Sequence, residues 1–286
     1  MIIGIVGPTG IGKSACAIEL AKRLGGQIIS VDAYQIYRGM DIGTGKVTAS
    51  QRAQVPHHFI DTLAPHERSD VATFQRQVRA TLDGLLTDEV PVIMVGGSGY
   101  YFKAVLHDMQ FSADLVNVTY PPVETIIDTL QQNAPELLEG VHLNNHKRLL
   151  NRYTRYLSNT PPSDPSRAVY DYQLFGLTMP LADLHARIDA RIDQMVEAGL
   201  EDEVRGLEAK GLSHTAASAI GYKEWRPYWA GVTDKKSVIQ LIKTHTRQYI
   251  KKQTTYFAHQ LPVTWLDAKA HDTAALTGQI LSQVNR

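Results

Sequence analysis

Residues 1–6 (MIIGIV) lead directly into Gly7–Ser14 (GPTGIGKS), which is the phosphate-loop pattern G-x-x-x-x-G-K-S. The apolar run predicts a buried strand, and Ser14–Leu24, followed by two glycines, predicts a helix. This order of strand, turn and helix suits an anion, because turn N–H groups and the positive helix N-terminus converge on it. An ordinary glycine-rich turn is the alternative, and the context favours a phosphate site.

Two side chains of the loop have specific expected roles. Lys13 supplies a point charge for the outer phosphate, and the Ser14 hydroxyl is a ligand for Mg²⁺. The residues expected to surround the phosphate are Gly7, Pro8, Thr9, Gly10, Ile11, Gly12, Lys13 and Ser14. The pattern alone does not identify the phosphate compound, so ATP, another nucleotide and a different diphosphate all stay open.

Strand and helix signals alternate over roughly the first 110 residues, which predicts a parallel α/β sheet. Gln27–Val31 and Val92–Val95 are two further apolar strands, and Ser69 or Asp70 is the predicted N-cap of the helix between them. Ligands bind at the carboxyl ends of strands in such sheets. The predicted fold class is therefore α/β: a P-loop NTPase-like parallel sheet core flanked by helices.

The pattern changes between Asp108 and Pro165, where strand signals fade and proline pairs interrupt short helical segments. Residues 108–165 are predicted to form a helical insertion domain, and 1–107 with 166–286 to form the core. Further strands are predicted at Val169–Met179 and Pro262–Leu266, one long helical stretch at Leu181–Lys210, and a helix at Asp234–Phe257.

Composition limits the possible functions. The chain is 43% hydrophobic and 20% charged, which is enough for a full core. It has 29 basic and 29 acidic residues, so only a local patch can hold a polyanion. The single Cys16 excludes an internal disulfide and is typical of a reducing compartment. Without an apolar run that spans a membrane or a signal peptide, we expect a cytoplasmic location and no membrane partner.

Asp32 and Arg247 are the candidate catalytic residues outside the loop. Asp32 directly follows the strand Gln27–Val31, which we expect to lie beside the phosphate-loop strand. A carboxylate there suits magnesium support or a general base, and the alternative is a turn or helix-capping aspartate. Arg247 shares a predicted helix face with Lys251, and one of the two is expected to reach a leaving diphosphate, with plain surface charge as the alternative.

The insertion has the only strong charge asymmetry in the sequence. No acidic residue occurs between Gly140 and Ser163, whereas basic and aromatic residues alternate there: Lys147, Arg148, Arg152, Tyr153, Arg155 and Tyr156. Such residues bind RNA phosphates and stack on unpaired bases. A solvated helix face with inward-packed tyrosines is an equal alternative.

These motifs resemble the tRNA dimethylallyltransferase (tRNA isopentenyltransferase) family. The run D-x-x-Q-x-Y-x-G-M-D-I-G-T-x-K, which begins at Asp32, is far more specific than the phosphate loop. The matching segments span most of the chain in the family's order: Gly7–Ser14, Ile29–Lys46 (ISVDAYQIYRGMDIGTGK), Pro56–Asp61 (PHHFID), Gly96–Ala104 (GGSGYYFKA), Ala219–Trp225 (AIGYKEW) and Thr246–Phe257 (TRQYIKKQTTYF).

The resemblance implies transfer of the dimethylallyl group of dimethylallyl diphosphate to N6 of an adenosine beside the anticodon in the tRNA anticodon loop. It implies that Gly7–Ser14 cradle the diphosphate with Mg²⁺ on Ser14, that Asp32 accepts the amine proton, and that Arg247 helps to hold the diphosphate. Ser98 stands where the family usually has threonine. The implied tRNA contacts are Asp32, Ala33, Tyr34, Gln35, Ser98, Lys147 and Arg148, and the implied catalytic set is Asp32, Lys13, Ser98 and Arg247.

Two other functions stay open at this point. The first is a small-molecule P-loop enzyme, either a kinase or a prenyltransferase that acts on a free adenine nucleotide. The second is an RNA-binding protein with reduced catalysis, because the insertion departs from the family pattern: Asn145 replaces an acidic residue and Asn151 an arginine. We expect a monomer.

Overall fold

The computed structural model describes residues 1–112 and 119–284. Contacts divide the chain into unit 1, made of Met1–Leu106 and Ala168–Arg286, and unit 2, His107–Arg167. The predicted insertion, 108–165, includes residues 113–118, which lie outside the described residues.

Unit 1 contains a parallel sheet whose order, within the described residues, is β3-β2-β4-β1-β5-β6. The strands are β1 (Ile2–Val6), β2 (Gln27–Ser30), β3 (His57–His58), β4 (Val92–Gly96), β5 (Tyr172–Thr178) and β6 (Val263–Asp267). Every residue of β1 and β4 is buried, as expected for central parallel strands covered on both faces. The predicted α/β class is confirmed.

The prediction that β2 lies beside β1 was wrong. β4 lies between them, and Ile93 of β4 pairs with Ile3 on one side and Ile28 on the other. A parallel crossover can skip a position that a later strand fills, so order along the chain does not determine order across the sheet. The carboxyl ends of the three strands still meet at one edge.

Helices surround this sheet and form unit 2. They are α1 (Lys13–Leu24), α2 (Ala49–Arg52), α3 (Val71–Thr87), α4 (Gly99–Leu106), α5 (Val123–Asn133), α6 (His146–Leu157), α7 (Leu181–Glu197), α8 (Leu200–Lys210), α9 (His214–Ala217), α10 (Arg226–Trp229), α11 (Lys235–Gln260) and α12 (Thr273–Val284). Asp70 caps α3 by accepting a hydrogen bond from the Thr73 N–H (2.8 Å), which decides between the two predicted caps. No helix in the described ranges is both long and apolar enough to cross a membrane.

Two helical features differ from the prediction. The stretch Leu181–Lys210 is two helices, because Gly199 has a left-handed backbone (φ 96°) that ends one helix and begins the next. Helix α12 was not predicted. Its sequence contains Gly278 and four β-branched residues, and the helix is stabilised by tertiary packing that buries Leu276 and Ile280.

Unit 2 is a small helical domain with its own core. Its helices pack around four buried residues, Ile126, Leu130, Ala134 and Leu149. Asn145 caps α6 by accepting from the Arg148 N–H (3.1 Å), so asparagine fills the cap position here. Tyr153 and Tyr156 pack against this core with their rings stacked 6.1 Å apart. The two tyrosines thus pack inward, as the alternative to RNA stacking predicted.

Candidate active site

A cavity of about 480 Å³ lies in unit 1 at the carboxyl ends of β1, β2 and β4. Helices α7 and α11 and the segments 43–47 and 218–221 complete its walls. Eight predicted site residues line it: Thr9, Gly10, Gly12, Lys13, Ser14, Asp32, Tyr34 and Gln35. The phosphate loop and the segment after β2 therefore share one cavity, although their strands are not neighbours.

The phosphate loop has a backbone that requires glycine. Gly10 and Gly12 have φ values of 78° and 107°, which residues with a side chain rarely adopt. Gly12 is the N-cap of α1, so the first N–H groups of that helix lie at the cavity. The Lys13 ammonium donates to the carbonyl of Pro8 (2.7 Å) and lies across the loop. This arrangement places one cation and a set of N–H donors around a space that fits a phosphate.

Lys13 has an unusual charge state for a lysine. Burial lowers its pKa from 10.5 to about 7, Arg191 acts in the same direction, and the charge of Asp32 opposes both. The lysine thus titrates near neutral pH when the cavity is empty. An anionic ligand would stabilise the ammonium and raise the pKa again, so ligand binding and protonation of Lys13 are coupled.

Asp32 holds a tight turn and also lines the cavity. Its Oδ1 accepts hydrogen bonds from the backbone N–H groups of Tyr34 (2.9 Å) and Gln35 (3.2 Å). This is the turn role that was the alternative to catalysis. A carboxylate has about four acceptor positions, and the charge of Asp32 acts on Lys13 across the cavity. The turn therefore orients Asp32 and does not use up its capacity to accept a proton.

The neighbours of Asp32 are fixed as well. The Gln35 amide accepts from the Ser30 hydroxyl and donates to the Thr44 carbonyl, both at 3.3 Å. The Tyr34 hydroxyl lies 3.4 Å from that of Ser218. These contacts hold the polar side chains on this wall in one orientation before any ligand binds.

Two arginines of α7 line the cavity and were not predicted from the sequence. Arg187 and Arg191 lie one helical turn apart, and Lys252 of α11 lies on the same cavity. Burial lowers the pKa of Arg191, and repulsion by Arg187 adds to this effect. The partly buried Arg191 and the exposed Arg187 form a cation cluster with Lys13 that suits a diphosphate. The spacing of four residues between the two arginines could have indicated a basic helix face. It could not show that this helix reaches the cavity.

Arg247 lies outside the cavity lining. Its guanidinium forms an ion pair with Asp189 of α7. The α11 residues that reach the cavity are Ile242, Thr246, Tyr249, Lys252 and Gln253, and Arg247 is rotated by about 100° from Thr246. The structure thus gives Arg247 a role in joining α7 to α11, and this geometry does not support the predicted contact with a diphosphate.

Ser98 directly follows Gly97, which lines the cavity, and is not itself a lining residue. Its carbonyl accepts from the N–H groups of Tyr101 (2.9 Å) and Phe102 (3.1 Å), which starts α4. The Ser98 side chain acts on the Tyr249 phenol and lowers its pKa, against the larger effect of burial. Burial raises the pKa of Tyr249, and the charge of Asp32 adds to the rise. Ser98 is therefore tied to a protonated tyrosine that does line the cavity.

One carboxylate binds the backbone at the start of the wall segment 43–47 and just before it. Glu203 of α8 accepts from three successive backbone N–H groups, those of Asp41 (3.0 Å), Ile42 (2.7 Å) and Gly43 (3.1 Å). It also accepts from the Tyr222 hydroxyl (2.6 Å). Hydrogen bonds to a charged acceptor are stronger than neutral ones, so Glu203 determines the conformation of this wall.

Glu203→Gln is expected to reduce the free energy of unfolding by about 2 kcal/mol or more. One accepting oxygen becomes an N–H₂ donor that faces the N–H and O–H donors now bound to Glu203, so those hydrogen bonds are lost. The measurement is urea unfolding followed by fluorescence. Glu208→Gln is the matched control on the same helix. Glu208 pairs with the exposed Arg226, and such pairs contribute about 0–1 kcal/mol. Equal effects of the two substitutions would contradict the role given to Glu203.

Lys147 and Arg148 lie in the first turn of α6 in unit 2, and both are exposed. Arg155 instead donates to the carbonyls of Gln110 and Pro161 (both 3.0 Å), so part of the basic set supports the domain itself. The exposed pair retains the charge and accessibility that contact with nucleic acid requires.

The comparisons with known proteins agree with one another. The IPP transferase family matches residues 35–260. A tRNA dimethylallyltransferase from Anoxybacillus flavithermus is 37% identical over 279 residues, covering 93% of this chain and 90% of the relative. One from Exiguobacterium is 39% identical over 280 residues, with the same coverage. The crystal structure of a tRNA delta(2)-isopentenylpyrophosphate transferase from Staphylococcus epidermidis superimposes with a TM-score of 0.77 at 32% identity, covering 99% of this chain and 98% of that one.

Proposed function

The chain belongs to the IPP transferase family, and from that premise we propose that it transfers the dimethylallyl group of dimethylallyl diphosphate to N6 of an adenosine beside the tRNA anticodon. It is a prenyltransferase that modifies tRNA, and the resemblance seen in the sequence is confirmed. The observation that carries the proposal is that Lys13 and Asp32 line one cavity. A cation for the leaving diphosphate and a carboxylate for the attacking amine thus share one cavity.

The leaving group requires the cationic side of the cavity. When the allylic C–O bond breaks, negative charge accumulates on the diphosphate. Lys13, Arg187, Arg191 and the loop N–H groups line the space where that charge develops. Groups that are already oriented stabilise such charge without reorganisation during the reaction.

The attacking group requires a carboxylate in the same cavity. The exocyclic amine of adenine is neutral and a weak nucleophile, so a carboxylate that takes its proton assists formation of the C–N bond. Asp32 is oriented for this task by the N–H groups of Tyr34 and Gln35. The target base has to leave its stack to reach the cavity, which is easier for a loop nucleotide than for one in a duplex.

The prenyl group requires an apolar wall. Ile188, Ile192 and Met195 of α7 line the cavity beside the two arginines, and Ile220 lies on the same wall. An allylic cation reacts with water, so a dry surface next to the breaking bond protects it. The same helix therefore provides the charge for the diphosphate and the apolar contact for the five-carbon chain.

We propose Mg²⁺ as the cofactor. The Ser14 hydroxyl is a hard oxygen donor of the kind Mg²⁺ takes, and it lines the cavity. Within residues 1–112 and 119–284 no group of three or more His, Cys, Asp or Glu side chains is suited to hold a metal ion. Few protein ligands, completed by water and phosphate oxygens, are the usual mode for Mg²⁺. When bound, the ion would neutralise charge on the diphosphate.

We further propose that the protein acts in the cytoplasm as a monomer, with tRNA and dimethylallyl diphosphate as partners and no membrane partner. The support for a monomer is that one chain supplies every group that the reaction needs around the cavity.

A labelling experiment tests the proposed function against its alternatives. The protein is incubated with Mg²⁺, labelled dimethylallyl diphosphate and either unmodified tRNA or free AMP. Label is expected in tRNA only. Label on AMP but not on tRNA would instead identify a nucleotide prenyltransferase, and ATP consumption without label transfer a kinase. Tight tRNA binding with no transfer would identify an RNA-binding protein.

The double substitution Lys147→Ala, Arg148→Ala is expected to weaken tRNA binding about tenfold and to reduce the slope of log affinity against log salt by about 1–2, because each exposed cation releases counterions from the phosphates. The matched control removes the Lys-Arg pair at Lys22 and Arg23, which is exposed in unit 1. Binding curves at several salt concentrations provide the measurement. Identical slopes for the two double variants would exclude Lys147 and Arg148 as RNA contacts.

A further inference from the structure

One buried side chain joins the two loops that follow β1 and β4. The Gln253 Oε1 accepts from the backbone N–H of Thr9 in the phosphate loop (3.0 Å). Its Nε2 donates to the carbonyl of Gly97 (2.9 Å). Gln253 is 5% exposed and lines the cavity. A single amide from α11 is thus bonded at both ends to loops that the proposed reaction uses.

The contact is specific in shape and polarity. A Cβ atom at Gly97 would lie 2.2 Å from the Gln253 Nε2, so the close approach requires glycine. If the amide were flipped, its N–H₂ group would face the Thr9 N–H and its oxygen would face the Gly97 carbonyl. Neither pair can form a hydrogen bond, so the amide has only one favourable orientation. One turn earlier on α11 lies Tyr249, and the side chains of Gln253 and Ser98 both act on its phenol and lower its pKa. The connection therefore continues from the phosphate loop to the residue implied to contact the target nucleotide.

We propose that Gln253 is a positioning residue that keeps the phosphate loop in its ligand-binding form and ties it to the loop that carries Ser98. The Thr9 N–H is occupied by the Gln253 oxygen, so the loop is shaped before an anion arrives. Donors that are already oriented stabilise developing charge without a free-energy cost for reorganising the loop. The part that concerns Ser98 rests on the proposed function, whereas the part that concerns the phosphate loop does not.

Two substitutions separate this role from simple packing. Gln253→Leu has a similar size and removes both hydrogen bonds without adding charge. Gln253→Glu retains an acceptor for Thr9 and regains a donor for Gly97 only when the carboxyl is protonated. Gln240→Glu is the control, because it adds the same charge at an exposed position of the same helix.

The measurement is calorimetric binding of inorganic diphosphate with Mg²⁺, together with steady-state transfer to tRNA. Gln253→Leu is expected to weaken diphosphate binding about tenfold and to lower kcat, because buried donors and acceptors lose their partners. For Gln253→Glu, the ratio of its affinity to that of the wild type is expected to rise as the pH falls, while the Gln240→Glu ratio stays constant. Thermal unfolding of each variant verifies that it is folded.

The outcomes distinguish this inference from the proposed function. If Gln253→Leu is folded and binds diphosphate as the wild type does, or if the loss in Gln253→Glu does not change with pH, the positioning role is wrong even when transfer to tRNA occurs. If the wild type transfers no label while Gln253→Leu still binds diphosphate about tenfold more weakly, the loop-positioning role stands and the proposed function fails. If Gln253→Leu does not fold, the pH dependence of Gln253→Glu decides.

Discussion

Asp32→Asn is expected to lower the rate of dimethylallyl transfer about 10²-fold or more, because a primary amide does not accept the amine proton. The substitution retains an oxygen that accepts from the Tyr34 and Gln35 N–H groups, so the turn that orients the side chain is preserved. The measurement is single-turnover transfer of label to tRNA at saturating dimethylallyl diphosphate. Asp32→Ala is expected to reach at least the same loss, because it removes the base and the turn contact together.

Asp70→Asn is the matched control for this prediction. Asp70 also uses its Oδ1 to accept a backbone N–H, that of Thr73 (2.8 Å), but it caps α3 and is not part of the cavity lining. Its rate is expected to stay within about twofold of the wild type, since only a group near the reacting atoms affects the chemical step. Binding of inorganic diphosphate is expected to survive both substitutions. If Asp32→Asn transfers label at a rate close to that of Asp70→Asn, Asp32 is not the base.

The phosphate loop was predictable because everything that shapes it is local. The strand β1, the glycines of the loop and the start of α1 are contiguous, and each follows a rule that concerns near neighbours. Asp32 was predictable for a related reason, since it ends a strand whose carboxyl end must lie at the ligand edge of the sheet. That conclusion survived even though β4 separates β2 from β1.

The cationic side of the cavity was not predictable in the same way. Arg187, Arg191 and Arg247 all lie on long helices with similar local patterns. Which of them reaches the cavity depends on how α7 and α11 pack on each other, and that is a long-range property. The ion pair between Arg247 and Asp189 joins these helices. Sequence spacing therefore identified basic helix faces but not the face that lines the cavity.

Contacts between distant segments explain the other misses. Glu203 holds Asp41–Gly43 across about 160 residues of sequence, and Gln253 holds Thr9 from 244 residues away. No sequence spacing predicts that a glutamate or a glutamine will bind a backbone group so far away in the chain. Polar side chains that accept or donate to backbone groups in loops can be assigned only when the fold brings the two segments together.

Lys13→Met is expected to reduce kcat/KM for dimethylallyl diphosphate about 10³-fold, because the variant loses a preorganised cation that faces the developing charge. Binding and rate are expected to fall together, since the ammonium contacts the diphosphate before and after the C–O bond breaks. Steady-state kinetics with labelled substrate provide the measurement. Lys22→Met, at an exposed position of the same helix, is the control and is expected to match the wild type.

The wild type is also expected to take up a proton when diphosphate binds above pH 7. Burial lowers the Lys13 pKa to about 7 in the empty cavity, so at about pH 8 most molecules have a neutral lysine, and an anionic ligand draws the proton back. Calorimetric binding in two buffers with different ionisation enthalpies measures this uptake. It is expected to approach one proton in the wild type and zero in Lys13→Met. Equal uptake by both proteins would assign the proton to another group.

The lowered pKa of Lys13 also predicts how the substitution Lys13→Met affects the free energy of unfolding. The folded protein binds fewer protons at Lys13 than the unfolded chain between pH 7 and 10.5, so the free energy of unfolding rises with pH across that window through this residue. Below pH 7 the folded protein has to desolvate a buried ammonium, and methionine removes that penalty. Lys13→Met is therefore expected to be at least as stable as the wild type near neutral pH while it binds diphosphate far more weakly. A variant that loses binding and stability together would show that Lys13 supports the fold and would contradict its assignment as a ligand-binding cation.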